Sequence, residues 1–264
     1  MSARKLPLVA VDVGNSRIKL GLFDSLDAVA DQLPQPSRTL ELSPQHDSFE
    51  RISEWLGAER LPLVPWWIGS VQRSVASKLI VWLRDRGVDQ ITLLAAGDLP
   101  LVVDLPRPDM VGIDRLLSAV AVNRLRPQDT PAVVVSLGTA ITVNLVTAAG
   151  AFRGGAILPG IGTAARAMHE FTDLLPLIDM HALDEPPPAL GTNTIEAMTS
   201  GIYWGAIGGV RHLIELIVRD CASRPQVFLS GGAAPRVAKL IDPQARYEPY
   251  LVLAGIALVG GGAR

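Results

Sequence analysis

Asp12-Val-Gly14-Asn15-Ser16 ends an apolar run in a tight turn, so a carboxylate, a bare amide and short amide and hydroxyl side chains converge at one strand end. That set suits a metal-bridged phosphate. Glycine lets the backbone approach closely, the polar side chains meet phosphate oxygens, and the carboxylate holds magnesium through water. An Asx-type turn joining two strands uses the same residue types. A second turn, Ser136-Leu-Gly138-Thr139, and a third, Ser230-Gly231-Gly232, favour the phosphate reading, because matches of this kind multiply. Gly138 and Thr139 would approach the phosphates from the opposite side. Gly231 and Gly232 would offer bare backbone to a nucleobase, placing a nucleotide in a cleft. An ordinary hairpin and an ordinary helix entry are the plain alternatives for these two turns. Gly112-Ile113-Asp114-Arg115 opens a helix. Asp114 there can accept a proton from a substrate hydroxyl, and Arg115 can fork onto a carboxylate or phosphate. A first-turn aspartate favouring the helix dipole is the alternative. Neither a P-loop nor a dinucleotide-binding glycine motif occurs in a strand-to-helix context.

The elements that must carry these groups come in two matching sets. Val9–Phe23 and Val133–Thr147 each read as strand, polar residue, glycine, tight turn and alternating strand. They align at a constant offset, with Asp12 on Ser136, Gly14 on Gly138 and Ser16 on Ala140. This predicts two related α/β halves of about 130 residues, residues 1–126 and 127–264, with the boundary at Arg126-Pro127-Gln128-Asp129. Between the hairpins the pattern predicts an amphipathic stretch at 49–56, a strand at 63–68, a helix at 74–86, a strand near 91–94 and a helix from about 112 to 123. Further on come a helix at 162–171, a Pro186-Pro187-Pro188 surface link, and a long helix at 194–218. Gly201, Gly205, Gly208 and Gly209 in that helix suit close packing or a subunit seam. A strand at 226–229, a helix at 235–241 and an apolar helix from 251 complete the chain. Trp66-Trp67 reads as a packed strand end rather than a base-stacking platform. Lys19 reads equally as a phosphate contact or an outward strand lysine.

Composition removes several classes. Among 264 residues, Lys+Arg 24 against Asp+Glu 26 gives a charge of −2, so no nucleic-acid groove is expected. Apolar residues at 48 % against 19 % charged are too many for disorder. Cys221 alone allows no internal disulfide, and His46, His169, His181 and His212 lack metal-ligand spacing, which argues against a zinc enzyme. The short apolar run after Arg4 and Lys5 is no signal-peptide core and no stretch reads as a membrane span, so a cytoplasmic protein is expected.

Taken in order, Asp12-Val-Gly-Asn-Ser, Gly112-Ile-Asp-Arg115, Gly138-Thr-Ala140, Gly154-Gly155-x-Ile-x-Pro159-Gly160, Asn193-Thr194 with Ser200-Gly201, and Ser230-Gly231-Gly232 resemble type III pantothenate kinase over nearly the whole chain. The resemblance implies an α/β, two-lobed acetate and sugar kinase/Hsc70/actin-like (ribonuclease H-like) fold with duplicated mixed β-sheets flanked by helices. It implies a homodimer that uses ATP and magnesium to phosphorylate pantothenate, the first step of coenzyme A synthesis. By that pattern Asp12, Val13, Gly14, Asn15, Ser16, Arg17, Ile18 and Lys19 line the ATP phosphates, and Thr139 contacts ATP. Gly112, Ile113, Asp114 and Arg115 bind pantothenate, with Asp114 as general base. Thr194 contacts pantothenate, and Thr172 reaches it across the dimer seam. Three positions depart from the family's pattern. Ser136 stands where an aspartate holds a monovalent cation, potassium or ammonium. Asn144 replaces an acidic residue, and Leu105 replaces a substrate-binding tyrosine. A hydroxyl is a poorer cation ligand than a carboxylate. An impaired homologue that binds ligand without turnover, and a kinase acting on a sugar or short acid, are the competing readings.

Overall fold

The computed structural model describes residues 7–27, 31–183, 185–219 and 221–262. The first apolar run forms β1 (Leu8–Val13) and returns antiparallel as β2 (Ile18–Phe23), with β3 (Arg38–Leu42) antiparallel beyond it. On the other side β4 (Trp66–Ser70) pairs parallel with β1, and β5 (Ile91–Leu93) parallel with β4, giving the order β3-β2-β1-β4-β5. The second hairpin is β6 (Ala132–Leu137) and β7 (Ala140–Val146), followed by β8 (Phe152–Pro159), β9 (Gln226–Ser230) and β10 (Arg246–Tyr247). Its sheet runs β10-β9-β6-β7-β8, which repeats the first order strand for strand when read from the other edge. The expected α/β fold with duplicated mixed sheets is therefore present.

The helices are α1 (Glu50–Leu56), α2 (Arg73–Arg84), α3 (Ile113–Leu125), α4 (Ile161–Glu170), α5 (Thr194–Val218), α6 (Ala234–Ile241) and α7 (Leu251–Gly260). Strand alternation decides what each face meets. Val9, Val11 and Val13 join Trp66 and Ile68 in a core with Ile52 and Leu56 of α1 and Leu79 and Leu83 of α2. Leu8, Ala10 and Asp12 therefore lie on the opposite face. Gly69, the β4 partner of Asp12, identifies what covers that face: a methyl group there would meet Leu117 of α3 at 2.7 Å and Ile256 of α7 at 3.4 Å. Gly255 of α7 lies against the Leu117 carbonyl so tightly that a methyl group would come within 2.2 Å of it. In the second sheet Val133, Val135, Leu137, Ile141, Val143 and Leu229 pack with Met198, Ile202 and Val210 of α5 and Val237 and Ile241 of α6.

The chain divides into two compact units. One holds the chain up to Gln128, the stretch Gly150–Phe152 and the chain from Tyr250 onward; the other holds Asp129–Ala149 and Arg153–Pro249. The closing helix α7 thus belongs with the first sheet.

Some sequence expectations shift. The strand expected at 63–68 begins at Trp66, because residues Ala58–Leu63 wind into a 3-10 helix whose Leu61 carbonyl accepts the Trp66 indole N–H at 3.1 Å. Trp66 is fully buried, as a packed strand end should be. The constant offset of the hairpins fails beyond the glycines. Four residues separate the paired Val13 and Ile18, but three separate Leu137 and Ile141, so Ala140 is not the counterpart of Ser16. The opening residues searched for a targeting signal, up to Leu6, and the side chain of His181 lie outside the described part. Among the described residues no helix is long and apolar enough to cross a membrane.

Candidate active site

Asp12 sits at the penultimate position of β1, paired directly with Lys19 of β2, so both side chains leave the same face of the sheet. That face meets the N-terminal half of α3, where Asp114 occupies the first turn. The two carboxylates repel one another. Burial, then the charge of Asp114, push Asp12 up from 3.8 to about 7, against the lowering effect of Lys19. Asp114 is also raised, by burial first, while the Arg115 amide donates to its Oδ1 at 2.9 Å and the Arg115 charge holds it down. Arg115 is in turn lowered by burial, countered by Asp114, and its guanidinium lies 5.5 Å from the centre of the Phe152 ring. Asp12, Lys19, Asp114 and Arg115 therefore form one electrostatic group in the first unit.

Gly112 favours this arrangement. It caps α3, and a methyl group on it would come within 2.6 Å of Asp114 Oδ1, so the absent side chain leaves room for the carboxylate to fold back onto its own helix start. The Ser118 hydroxyl donates to the Asp114 carbonyl at 2.8 Å, securing the first turn.

In the first turn the Gly14 amide donates to the Arg17 carbonyl at 3.0 Å, and Asn15, Ser16 and Arg17 are exposed. Arg17 pairs with Glu41 on the surface at 3.1 Å. Val13 and Ile18 have fully buried side chains in the first core, so only their backbone is free to meet a ligand. Ile113 is likewise buried.

The second turn is held from behind. The Gly138 amide donates to the Ala140 carbonyl at 3.1 Å, and the Thr139 carbonyl accepts from the Gly160 amide at 3.0 Å and from the Thr163 hydroxyl at 2.7 Å. A methyl group at Gly160 would lie 2.1 Å from the Gly138 carbonyl oxygen, so α4 begins in backbone contact with this turn. Gly160, quoted in the motif that runs from Gly154, acts as a positioning group, and so does Thr163, which the motif reading passed over. The signal available for Thr163 was its place in the first turn of the helix that follows Gly160. Ser136 pairs with Thr142 on one side and Ser230 on the other, and Asn144 follows on the same face. The structure thus gathers four neutral polar side chains where the first hairpin has Asp12 and Lys19.

Gly231 has a local reason for being glycine. Its φ of 100° is left-handed, and a methyl group would sit 2.4 Å from the Leu137 carbonyl oxygen. A methyl group at Gly232 would meet nothing within 4 Å, so the bare backbone expected to face a ligand is explained by internal packing at the first glycine and not at the second. Thr172 donates to the Met168 carbonyl at 2.6 Å and is exposed. Thr194 is exposed in the first turn of α5, where Asn193 caps the helix by accepting from the Glu196 amide at 3.0 Å. Leu105 is half-buried. Among the described residues no group of three or more His, Cys, Asp or Glu side chains could hold a metal, so a divalent ion at this site would rest on one or two carboxylates and on substrate oxygens.

This fold, with a hairpin turn at one end of each duplicated sheet, is that of the acetate and sugar kinase/Hsc70/actin class. A glucokinase from an Antarctic psychrotroph shares it, with a TM-score of 0.51 at 11 % identity over 95 % of this chain and 97 % of the other. So does the activator of the 2-hydroxyisocaproyl-CoA dehydratase from Clostridium difficile, solved with bound ADPNP, with a TM-score of 0.51 at 12 % identity over 98 % and 94 %. The family model of type III pantothenate kinase matches residues 8–216, and a type III pantothenate kinase of Dehalococcoides mccartyi is 31 % identical over 265 residues, 96 % of each chain. The chain belongs to the type III pantothenate kinase family.

Proposed function

We propose that this chain transfers the γ-phosphoryl group of ATP to the primary hydroxyl of pantothenate, with Asp114 as general base. The observation that carries the reading is the Asp114 carboxylate, fixed at the start of α3 by the Arg115 amide and raised above its ordinary range beside a second carboxylate. A carboxylate so raised is a better proton acceptor, and phosphoryl transfer otherwise needs alignment and charge neutralisation more than covalent help. Asp114 takes the hydroxyl proton as the oxygen attacks the γ-phosphorus. Gly112, Ile113, Arg115 and Thr194 hold the acceptor, with Arg115 on its carboxylate. Lys19 and the amides and short side chains of residues 13–18 receive the phosphates, and the glycine turns at Gly138, Thr139, Gly231 and Gly232 are the nucleotide contacts that the sequence motifs and the family resemblance imply.

Magnesium fits this donor set. Burial and Asp114 push Asp12 up to about 7, so a cation shared with phosphate oxygens would supply the positive charge that favours its ionised form. Bound there, the ion would neutralise charge on the transferring group.

A homodimer is part of the proposal. Gly201, Gly205 and Gly208 line an exposed stripe of α5 with open space above them, and Phe171 at 82 % and Leu174 at 86 % exposure flank Thr172. An apolar set of this kind suits a second copy, which would bring Thr172 to the partner's acceptor.

The test is acceptor-dependent ADP release with ATP and magnesium, run with pantothenate and with sugars and short hydroxy acids. Release with pantothenate alone is expected; release with another acceptor, or none, overturns the reading. A second reading, a homologue that binds ligand without turnover, is favoured by the neutral Ser136 and Asn144. It predicts saturable nucleotide or pantothenate binding with no ADP release.

A further inference from the structure

The monovalent cation that the family resemblance attaches to the position of Ser136 does not fit the groups gathered there. Ser136 lies between Thr142 and Ser230, its two direct strand partners, and the side chains of all three leave the face opposite to Val135, Leu137, Ile141, Val143 and Leu229. Asn144 is next along β7 on that same face, only 2 % exposed. Its Nδ2 donates to Thr142 Oγ1 at 3.0 Å and faces the Val134 carbonyl at 3.5 Å. The reverse amide orientation would set oxygen against the Val134 carbonyl oxygen, so the donor is the end turned toward these oxygens. A cation here would meet the Asn144 N–H hydrogens, the Thr142 hydroxyl oxygen that already accepts from them and the neutral hydroxyls of Ser136 and Ser230, with no carboxylate in β6, β7, β9 or the turns at 138–139 and 231–233.

The carboxylate placed nearest by the strand register is Glu248, whose amide donates to the Leu229 carbonyl at 2.8 Å. It is buried at 7 % exposure and accepts from Arg246 Nε at 2.5 Å, so its charge is already balanced within the protein. Hard monovalent ions are held by oxygen donors, most strongly by charged ones; a neutral set whose amide is turned donor-first offers little in place of hydration water.

We infer that the Ser136-Thr142-Ser230-Asn144 cluster binds no monovalent cation and that nucleotide binding by this chain is independent of potassium and ammonium. The inference deepens the kinase reading and rests on it only for turnover. The test titrates thallium(I), a potassium surrogate with its own magnetic resonance signal, into the full chain. In parallel it measures the affinity for a non-hydrolysable ATP analogue, with magnesium, in potassium chloride and in choline chloride at matched ionic strength. No saturable thallium signal and unchanged affinity are expected. A saturable signal, or affinity tighter by about tenfold or more in potassium, overturns the inference. The doubly substituted Ser136→Asp, Asn144→Asp chain is expected to gain a thallium signal; if it does not fold, the wild-type measurements decide alone. Acceptor-dependent ADP release in both salts separates the two claims. Nucleotide binding without turnover in either salt removes the kinase reading and leaves the inference standing, whereas turnover that needs potassium does the reverse.

Discussion

The two hairpins share topology and differ in charge. At the end of β1 stands an acid paired with a lysine and pressed by a second acid from α3; at the end of β6 stand three hydroxyls and an amide with no net charge. Duplication has preserved the backbone device, a glycine turn at a strand end, while the side chains have diverged. The first hairpin carries titratable groups at its strand end, so its electrostatics change with pH. The second carries no charged side chain at its strand end, and its Thr139 carbonyl is held from behind by the Gly160 amide and the Thr163 hydroxyl. Identical topology therefore does not imply identical chemistry, since function resides in the side chains placed on a fold.

The largest test of that contrast is Asp114→Asn, which keeps shape and removes the proton acceptor. It should lower kcat by about 10²- to 10⁴-fold with little change in KM for ATP. Steady-state kinetics with pantothenate check this, and a loss under about tenfold rejects Asp114 as the base.

Asp12 gives a second contrast, in stability against pH. Its folded value of about 7 lies above its ordinary 3.8, so the folded chain keeps a proton that the unfolded chain releases. The stability this supplies is complete below about pH 4 and is lost as pH rises through about 7, with an upper limit of about 4 kcal/mol at roughly 1.4 kcal/mol per unit. Asp12→Asn should flatten the fall in Tm between about pH 5 and pH 8, and a variant that follows the wild-type curve would refute the assignment.

On the neutral side, Gly160→Ala should cost about 1–3 kcal/mol, because the new methyl group meets backbone at 2.1 Å. Gly14→Ala meets one carbonyl at 3.1 Å and should cost less. Thermal denaturation of both variants orders the two turns by rigidity. The smallest effect belongs to the exposed Arg17–Glu41 pair: Glu41→Gln should change stability by less than about 1 kcal/mol in chemical denaturation.

Much of this was legible in the residues. Alternating valines around Asp12 and the repeated glycine turns revealed the duplication and both hairpins, since strand period and turn chemistry are local properties. The charged group was only partly legible. Asp12 and Asp114 stood out by type, but Lys19 could be read as facing either way until pairing with Asp12 settled its side. Register also joined Thr142 and Ser230 to Ser136. A turn one residue shorter than its counterpart had obscured this, because a single step in register exchanges the two faces. The tight spacing at Gly160 depends on the Gly138 carbonyl brought in by folding, which spacing along the chain does not encode. The edge strands β3 and β10 were missed for a different reason: exposed or very short, they lack the buried alternation that marks a strand.

The placement of α7 bears on the order in which the molecule forms. Its Gly255 backs onto Leu117, yet it is translated only after the segments of the second unit. Domains generally fold as units during synthesis, so the segment from Asp129 to Pro249 can be fully translated while the sheet begun at Leu8 still lacks one of its covering helices. The cover of the first sheet is thus completed only after the second unit has been translated, and removing α7 would injure the half translated earlier.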